Sequence, residues 1–360
     1  MVIFIDTKRD EGDSSMRYAL ALCLTTSLFM QPFTQAFASG EVNLYSYRQP
    51  FLIEPMLESF TQKTGIEVNI SFVDKGMAEK IRAAGNNNPA DAVLTVDIGR
   101  LDALRKAGLL EPVQSSILED AIPSHLRHPE GLWFALSTRA RIALVSRDRW
   151  LPGPLKTLAD LADPAHRGKI CTRSGKHPYN VALIASIIAH EGEEAAERWL
   201  AGVRDNLARK PQGNDRAQAK GVYEGVCDIA ISNHYYMGKM ATNEEKPEQK
   251  RWAQAVEVRF FDVDDRGNHV NISGAALLKG AKNRDEAIAL IEFLAGDEAQ
   301  SQYGTVNFEY PVKEGIATHP LVESWGRFKA DSLPLAEIAR HRETATRLVD
   351  KTRFDSGPSR

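Results

Sequence analysis

The sequence predicts an α/β protein of two lobes, each a mixed, mostly parallel sheet with helices on both faces. Three observations carry that expectation. Short β-rich runs alternate with amphipathic helical patterns along most of the chain. The length of 360 residues is about that of two domains. The composition is 43% apolar with 45 Lys+Arg against 48 Asp+Glu, as in a soluble globular protein and unlike a coiled coil, a collagen-like repeat or a disordered tail. A net charge of -3 argues against a general nucleic-acid binder. Three cysteines are too few for a disulfide scaffold or a four-thiolate zinc site.

Residues 1–38 read differently. Met16-Arg17 precedes an apolar stretch from Tyr18 to Met30, which ends in Ala36-Phe37-Ala38. A basic start, an apolar core and an A-x-A end predict a secretory signal peptide. The stretch is too short and too interrupted to span a bilayer. The charged residues before Met16 suit export poorly, which favours Met16 as the initiator. Cleavage after Ala38 removes three basic and four acidic residues and leaves 322 of the 360. The mature chain is then exported, and its remaining cysteines are Cys171 and Cys227.

The elements follow in order. EVNLYSY (41–47) reads as a strand that gives way at RQP to a helix running to about Lys63, with Pro50 and Pro55 near its start and Gly65 as its stop. IEVNISFV (66–73) is the next strand, MAEKIRAA a helix, ADAVLTVD (90–97) a strand, and GRLDALRKAGL a helix closed by Gly108. Asp91 and Asp97 flank that third strand and fit loop or cap roles better than a catalytic pair. GKICTRS (168–174) is strand-like, and a helix starts at about Tyr179. EEAAERWLAGVRDNL is a second helix. VCDIAIS (226–232) is a strand followed at once by NHYYMGKMA, NISGAALL (271–278) is a strand, and 283–296 is a strongly periodic helix.

In α/β sheets, ligands sit where strands run out into helices. Three such places stand out. SYRQP sets Arg48 and Gln49 before the expected helix start, which suits an oxyanion; a surface Arg with a capping Gln is the plainer alternative. CTRSGKHPYN carries Arg173, Lys176, a His177 expected in solvent, and Tyr179. SNHYYMG carries adjacent tyrosines, Tyr235 and Tyr236, which can share one site only if the chain has left the strand there. Phenolate is a hard oxygen donor, and only a strongly polarising cation holds several ionised at neutral pH. Ferric iron does so, and three phenolates balance its charge. The nine His show no HExxH spacing, and no GxGxxG, P-loop or GxSxG run occurs. The reading is binding rather than catalysis.

The chain resembles the bacterial periplasmic ferric-ion-binding proteins of ABC importers, in the type II periplasmic-binding-protein superfamily. The resemblance rests on NLYSYRQPFLIEPML, NNNPADAVLTVDIGRL, LWFALSTRARIALV, CTRSGKHPYNVALIA, ARKPQGNDRAQ, SNHYYMGKM, HVNISGAALL and EYPVKEG, which together span the mature chain. It implies two lobes hinged on two crossover strands near 137–142 and 262–270. Residues 41–137 with 268–300 form the first lobe, 138–267 the second, and 301–360 a helical segment packing back.

The resemblance makes Tyr179, Tyr235 and Tyr236 the ligands of transported Fe(III). Gln49 and Pro50 stand where some relatives have a His and a Tyr, so those two ligands are missing. It implies Arg48 and Gln49 holding carbonate or a similar oxyanion, and Arg139, Arg141 and Arg173 standing behind the ligands. Tyr47 either approaches the site or points away. Cys171 and Cys227, at the starts of two second-lobe strands, form a disulfide or two buried thiols. The implied partners are ABC permease subunits, with no nucleic acid and no membrane span, and the implied form is a periplasmic monomer. The rival readings are a same-fold receptor for an organic cation, a thiamine-like molecule or an oxyanion, and an enzyme acting through Cys171 or a carboxylate.

Overall fold

The computed structural model describes residues 40–149, 153, 155–326 and 329–358. The expected signal peptide lies outside them.

Strand β1 (Glu41–Ser46) runs into a single 3-10 turn at Pro50–Leu52, and α1 (Glu54–Thr64) starts only after it. The helix expected from RQP therefore begins later: Gln49 precedes a 3-10 turn, not an α-helix. Gly65 ends α1 in the left-handed region, a conformation that glycine adopts at no steric cost. There follow β2 (Glu67–Phe72), α2 (Met77–Ala84), β3 (Ala92–Thr95) and α3 (Ile98–Lys106). Asp97 caps α3, accepting the Gly99 N–H at 2.9 Å, and Asp91 accepts the Asn43 N–H at 2.9 Å. Both aspartates thus do the loop and cap work that their spacing predicts.

After β4 (Leu110–Glu111) and α4 (Ser116–Ala121) comes β5 (Phe134–Ser146), thirteen residues long and buried throughout. A strand covered on both faces loses polar alternation, which is why LWFALSTRARIALV is nearly continuous in apolar and small residues. Strand β6 (Ile170–Cys171) is only two residues of the expected 168–174 run. Helices α5 (Pro178–Glu191), α6 (Glu193–Asp205) and α7 (Asp215–Tyr223) lead to β7 (Ile229–Asn233), α8 (Tyr235–Ala241), α9 (Glu248–Gln254) and β8 (Val256–Arg259). The chain returns through β9 (Val270–Leu278) to α10 (Arg284–Ala295), α11 (Asp297–Thr305), β10 (Tyr310–Pro311), α12 (Pro320–Glu323), α13 (Leu335–Arg340) and α14 (Arg342–Lys351).

The strand order is β2-β1-β3-β9-β5-β7-β6. Phe134–Ala140 of β5 pair with β9, whereas Arg141–Val145 pair with β7. One strand thus belongs to two sheet regions. The sheet is mixed, as expected, but not mostly parallel. Only β1/β2, β1/β3 and β6/β7 are parallel among the described strands; β5 and β9 are antiparallel to every neighbour. The cause is topological. The chain passes between the two regions once in each direction, so the passing strands oppose one another and the strands beside them.

Cys171, ending β6, and Cys227, just before β7, are joined in a disulfide. Helix α5 is buried over nine of its residues, because α6, α13 and α14 pack around it. Among the described residues no helix is long and apolar enough to cross a membrane.

Candidate metal centre

Strand β7 ends at Asn233 and α8 begins at Tyr235, so the paired tyrosines stand on a helix and escape the strand's two-fold alternation. Their rings lie 4.3 Å apart between centroids. Helix α8 lies close on Phe308, and a Cβ at Gly238 would run into that ring. Tyr179 is the second residue of α5. Pro178 occupies the first helical position, and His177 caps the helix, its Nδ1 accepting the Tyr179 N–H at 3.2 Å. The His177 ring also meets the Tyr179 ring edge-on at 4.5 Å. His177 is therefore half-buried and structural, not the solvent-exposed residue expected before a proline. The Tyr179 and Tyr235 hydroxyls are 3.5 Å apart. All three tyrosines line one cavity of about 520 Å³.

Cations surround them. The Arg139 guanidinium is 5.4 Å from the Tyr179 ring centre and 5.9 Å from that of Tyr235. It is held there by the carbonyls of Val96 and Ile272. Arg173 stands 5.4 Å from the Tyr179 ring, and Arg216, in the first turn of α7, 5.1 Å from that of Tyr236. Burial pushes the Tyr235 phenol well above its usual range, and the neighbouring Tyr179 and Tyr236 push it further, against Arg139. Burial, then Tyr179 and Asp215, raise Tyr236 as well. All else equal, crowded phenols keep their protons until a cation replaces them.

Behind the tyrosines lies Asp215, fully buried. It pairs with Arg141 and Arg173 and accepts the Asn233 N–H at 3.0 Å. Arg141 also donates to Asn233 Oδ1 at 3.0 Å and Asn180 Oδ1 at 2.7 Å. Asp215 and Arg141 thus tie α7, β5, β7 and α5 together beneath the three phenols. Burial opposes the Asp215 charge, but the two arginines outweigh it and hold the carboxyl below its usual range.

Arg48 and Gln49 reach the same cavity, though not as a free cation on a helix start. Arg48 is 1% exposed. Its Nη2 pairs with Glu309 at 3.0 Å, and its Nη1 donates to Ser273 at 2.8 Å. Glu309 also accepts from Ser137. The Arg48 charge is therefore matched inside the protein, and its Nε is the donor left without a hydrogen-bond partner. Tyr47 lines the cavity too, with its Oη accepting the Met77 N–H at 2.9 Å and Arg100 stacked 3.8 Å over its ring.

Arg100, Arg216, Asp215 and Glu309 were not singled out from the sequence. The run GNDRAQ carried a signal for two of them: Asn214 caps α7 by accepting the Ala217 N–H at 3.1 Å, which sets Asp215 and Arg216 in the first turn. Nothing local marks Glu309, which lies 261 positions from Arg48. Among the described residues no group of three or more His, Cys, Asp or Glu could hold a metal ion. Hard-donor chemistry here falls to the phenols.

Residues 87–329 match the bacterial extracellular solute-binding protein family. The chain belongs to that family. Among its solute-binding relatives, iron uptake protein A1 of Synechocystis is 40% identical over 312 residues, covering 86% of each chain. The major ferric iron-binding protein of Neisseria meningitidis is 28% identical over 94% of this chain and 98% of its own. The solved structure of the apo ferric ion-binding protein A of Pasteurella haemolytica superposes with a TM-score of 0.82 at 46% identity, covering 88% of this chain and 99% of that one. A Trichodesmium protein in complex with iron and citrate gives 0.84 at 40% identity, covering 88% and 100%. The solute-binding chain thus has the periplasmic-binding-protein fold, and these relatives are binding and transport proteins.

Proposed function

We propose that this solute-binding protein captures ferric iron in the periplasm, together with an oxyanion such as carbonate, and delivers it to an ABC permease. The observation that carries the reading is the set of three tyrosines, Tyr179, Tyr235 and Tyr236, on one cavity that lacks any His, Cys or carboxylate metal cluster among the described residues. The names of the relatives support the same cargo.

Each phenol has a role as a hard anionic ligand once its proton leaves, and three of them neutralise a trivalent ion. Arg139 and Arg216 oppose the phenolate charge, while Arg48 and Gln49, which line the same cavity, serve the anion. The lobes are residues 41–137 with 268–300, and 138–267. Residues 301–360 pack back on them, and iron is enclosed by hinge closure about β5 and the return into β9. The reading is of a binding protein, and no step requires catalysis.

A receptor for an organic cation is disfavoured by the same geometry. The ring faces that would hold such a ligand are already met by Arg139, Arg173 and Arg216. Because the Tyr235 and Tyr236 phenols are held protonated, iron binding releases protons and weakens as pH falls. Titration of protein with ferric citrate in weakly buffered solution tests this. Uptake of iron without proton release overturns it.

A further inference from the structure

The C-terminal segment touches both walls of the cleft. Its far end is fixed to the loop ahead of α5: Asp355 accepts from Ser174 Oγ at 2.6 Å and from the Gly175 N–H at 2.7 Å, and Asp350 pairs with Lys176 at 2.6 Å. Its near end reaches the other wall through Arg342, the first residue of α14. Arg342 Nη2 is 3.2 Å from Asp97 Oδ1, and its Nη1 donates to the Pro178 carbonyl at 3.4 Å. Asp97 caps α3, whose first turn carries Arg100 to the cavity; Pro178 directly precedes Tyr179. One guanidinium therefore bridges the first turn of α3 and the first turn of the helix that carries an iron ligand. Asp97 is fully buried and is held in turn by Asn271 of β9 at 2.7 Å, so the bridge rests on the return strand between the two sheet regions.

A second feature marks the same contact. Gly99 has ordinary helical backbone, yet a Cβ there would collide with the Arg342 Nε and Cζ. Glycine costs helix stability relative to alanine. Its presence in the first turn of α3 is explained by the room that it leaves for the Arg342 side chain. Beside this contact, α3 and α13 pack together in the apolar core that holds Ile98, Leu101, Leu335 and Ile338, and a pocket opens at their outer margin. The pocket, of about 290 Å³, is lined by Asp102, Lys106, Ala336 and Ala339 among others. The two walls thus meet through this apolar packing, and the Arg342 bridge adds a directional polar tie between their first turns.

The geometry points to Arg342 as a positioning residue for iron capture, one that sets the spacing between the Tyr179-bearing turn of α5 and the wall that carries Arg100. This inference rests on the ferric-iron reading above. Loosening the bridge lets Tyr179 move relative to the opposite wall, and the loss falls on the dissociation rate.

Gly99→Ala displaces the Arg342 side chain without removing it and keeps a good helix former in α3; Arg342→Ala removes it. Arg342→Lys keeps the pair with Asp97, but a compact ammonium cannot span both partners. Wild type and all three variants are loaded with ferric citrate, and decay of the phenolate-to-iron band is followed after an excess of EDTA. The expected result is an unshifted band in every protein. Dissociation is faster by about fivefold or more in Gly99→Ala and Arg342→Ala, and intermediate in Arg342→Lys. Wild-type or slower dissociation in Gly99→Ala and in any folded Arg342→Ala overturns the proposal, whatever happens to Tm. Absence of the band in wild type instead sinks the ferric-iron reading, and the positioning role with it, so the two failures are distinct.

Discussion

At the scale of single residues, the site is a balance of buried charges. Asp215 pairs with both Arg141 and Arg173, and removing one member of a buried ion cluster leaves the others uncompensated. Asp215→Asn should therefore cost about 3–5 kcal/mol of stability. Urea unfolding of the iron-free protein measures this, and a midpoint equal to wild type contradicts it. The placing of Tyr235 and Tyr236 together on a helix start was legible in the sequence, because two adjacent aromatics right after an apolar strand, followed by Gly238, signal that the chain has turned into a helix. The Arg48–Glu309 pair was not legible. It joins residues 261 positions apart, and only the fold reveals that an arginine read as free is neutralised.

At the scale of elements, helix starts do most of the placing. The first turns of α5, α7 and α8 supply Tyr179, Asp215 with Arg216, and the Tyr235–Tyr236 pair. His177 fixes the first of these. His177→Ala removes the acceptor for the Tyr179 N–H, and loss of a cap costs about 1 kcal/mol. The expected outcome is a modest fall in Tm with a larger fall in iron affinity, since the freed turn carries the proposed ligand Tyr179; equal affinity to wild type argues against the cap's role in the site. Most helices and strands were readable from periodicity and from glycine stops such as Gly65. The 168–174 run misled because the disulfide at Cys171 and the turns around Ser174 and Lys176 hold the chain where a longer strand was expected.

At the scale of the whole molecule, β5 and β9 carry the chain between two sheet regions, and buried polar groups collect around them. His269 stands at the start of that return, and burial, then Arg141, push its pKa down to about 3. His234, ahead of the tyrosine pair, is pushed down to about 4, again by burial first. In the unfolded chain both take a proton near pH 6.5. Protons therefore bind the unfolded state first, and stability is fully present above about pH 6.5 and drains away between there and pH 3 to 4. The fall in urea midpoint from pH 7.5 to pH 5 should be smaller in His269→Gln than in wild type; an equal fall removes His269 from the account. The lobed α/β plan was legible from strand–helix alternation. The antiparallel majority was not, because alternation alone does not show that two strands must pass between regions in opposite directions.

The proposed centre is ferric iron held by three phenolates, and a visible-absorption titration tests that most directly. Wild type and Tyr236→Phe are titrated with ferric citrate, and the metal content of the desalted protein is measured alongside. The account predicts a phenolate-to-iron band and one iron per chain in wild type, with both lost or greatly reduced in Tyr236→Phe. No band in wild type, or the same band and metal content in Tyr236→Phe, would contradict it.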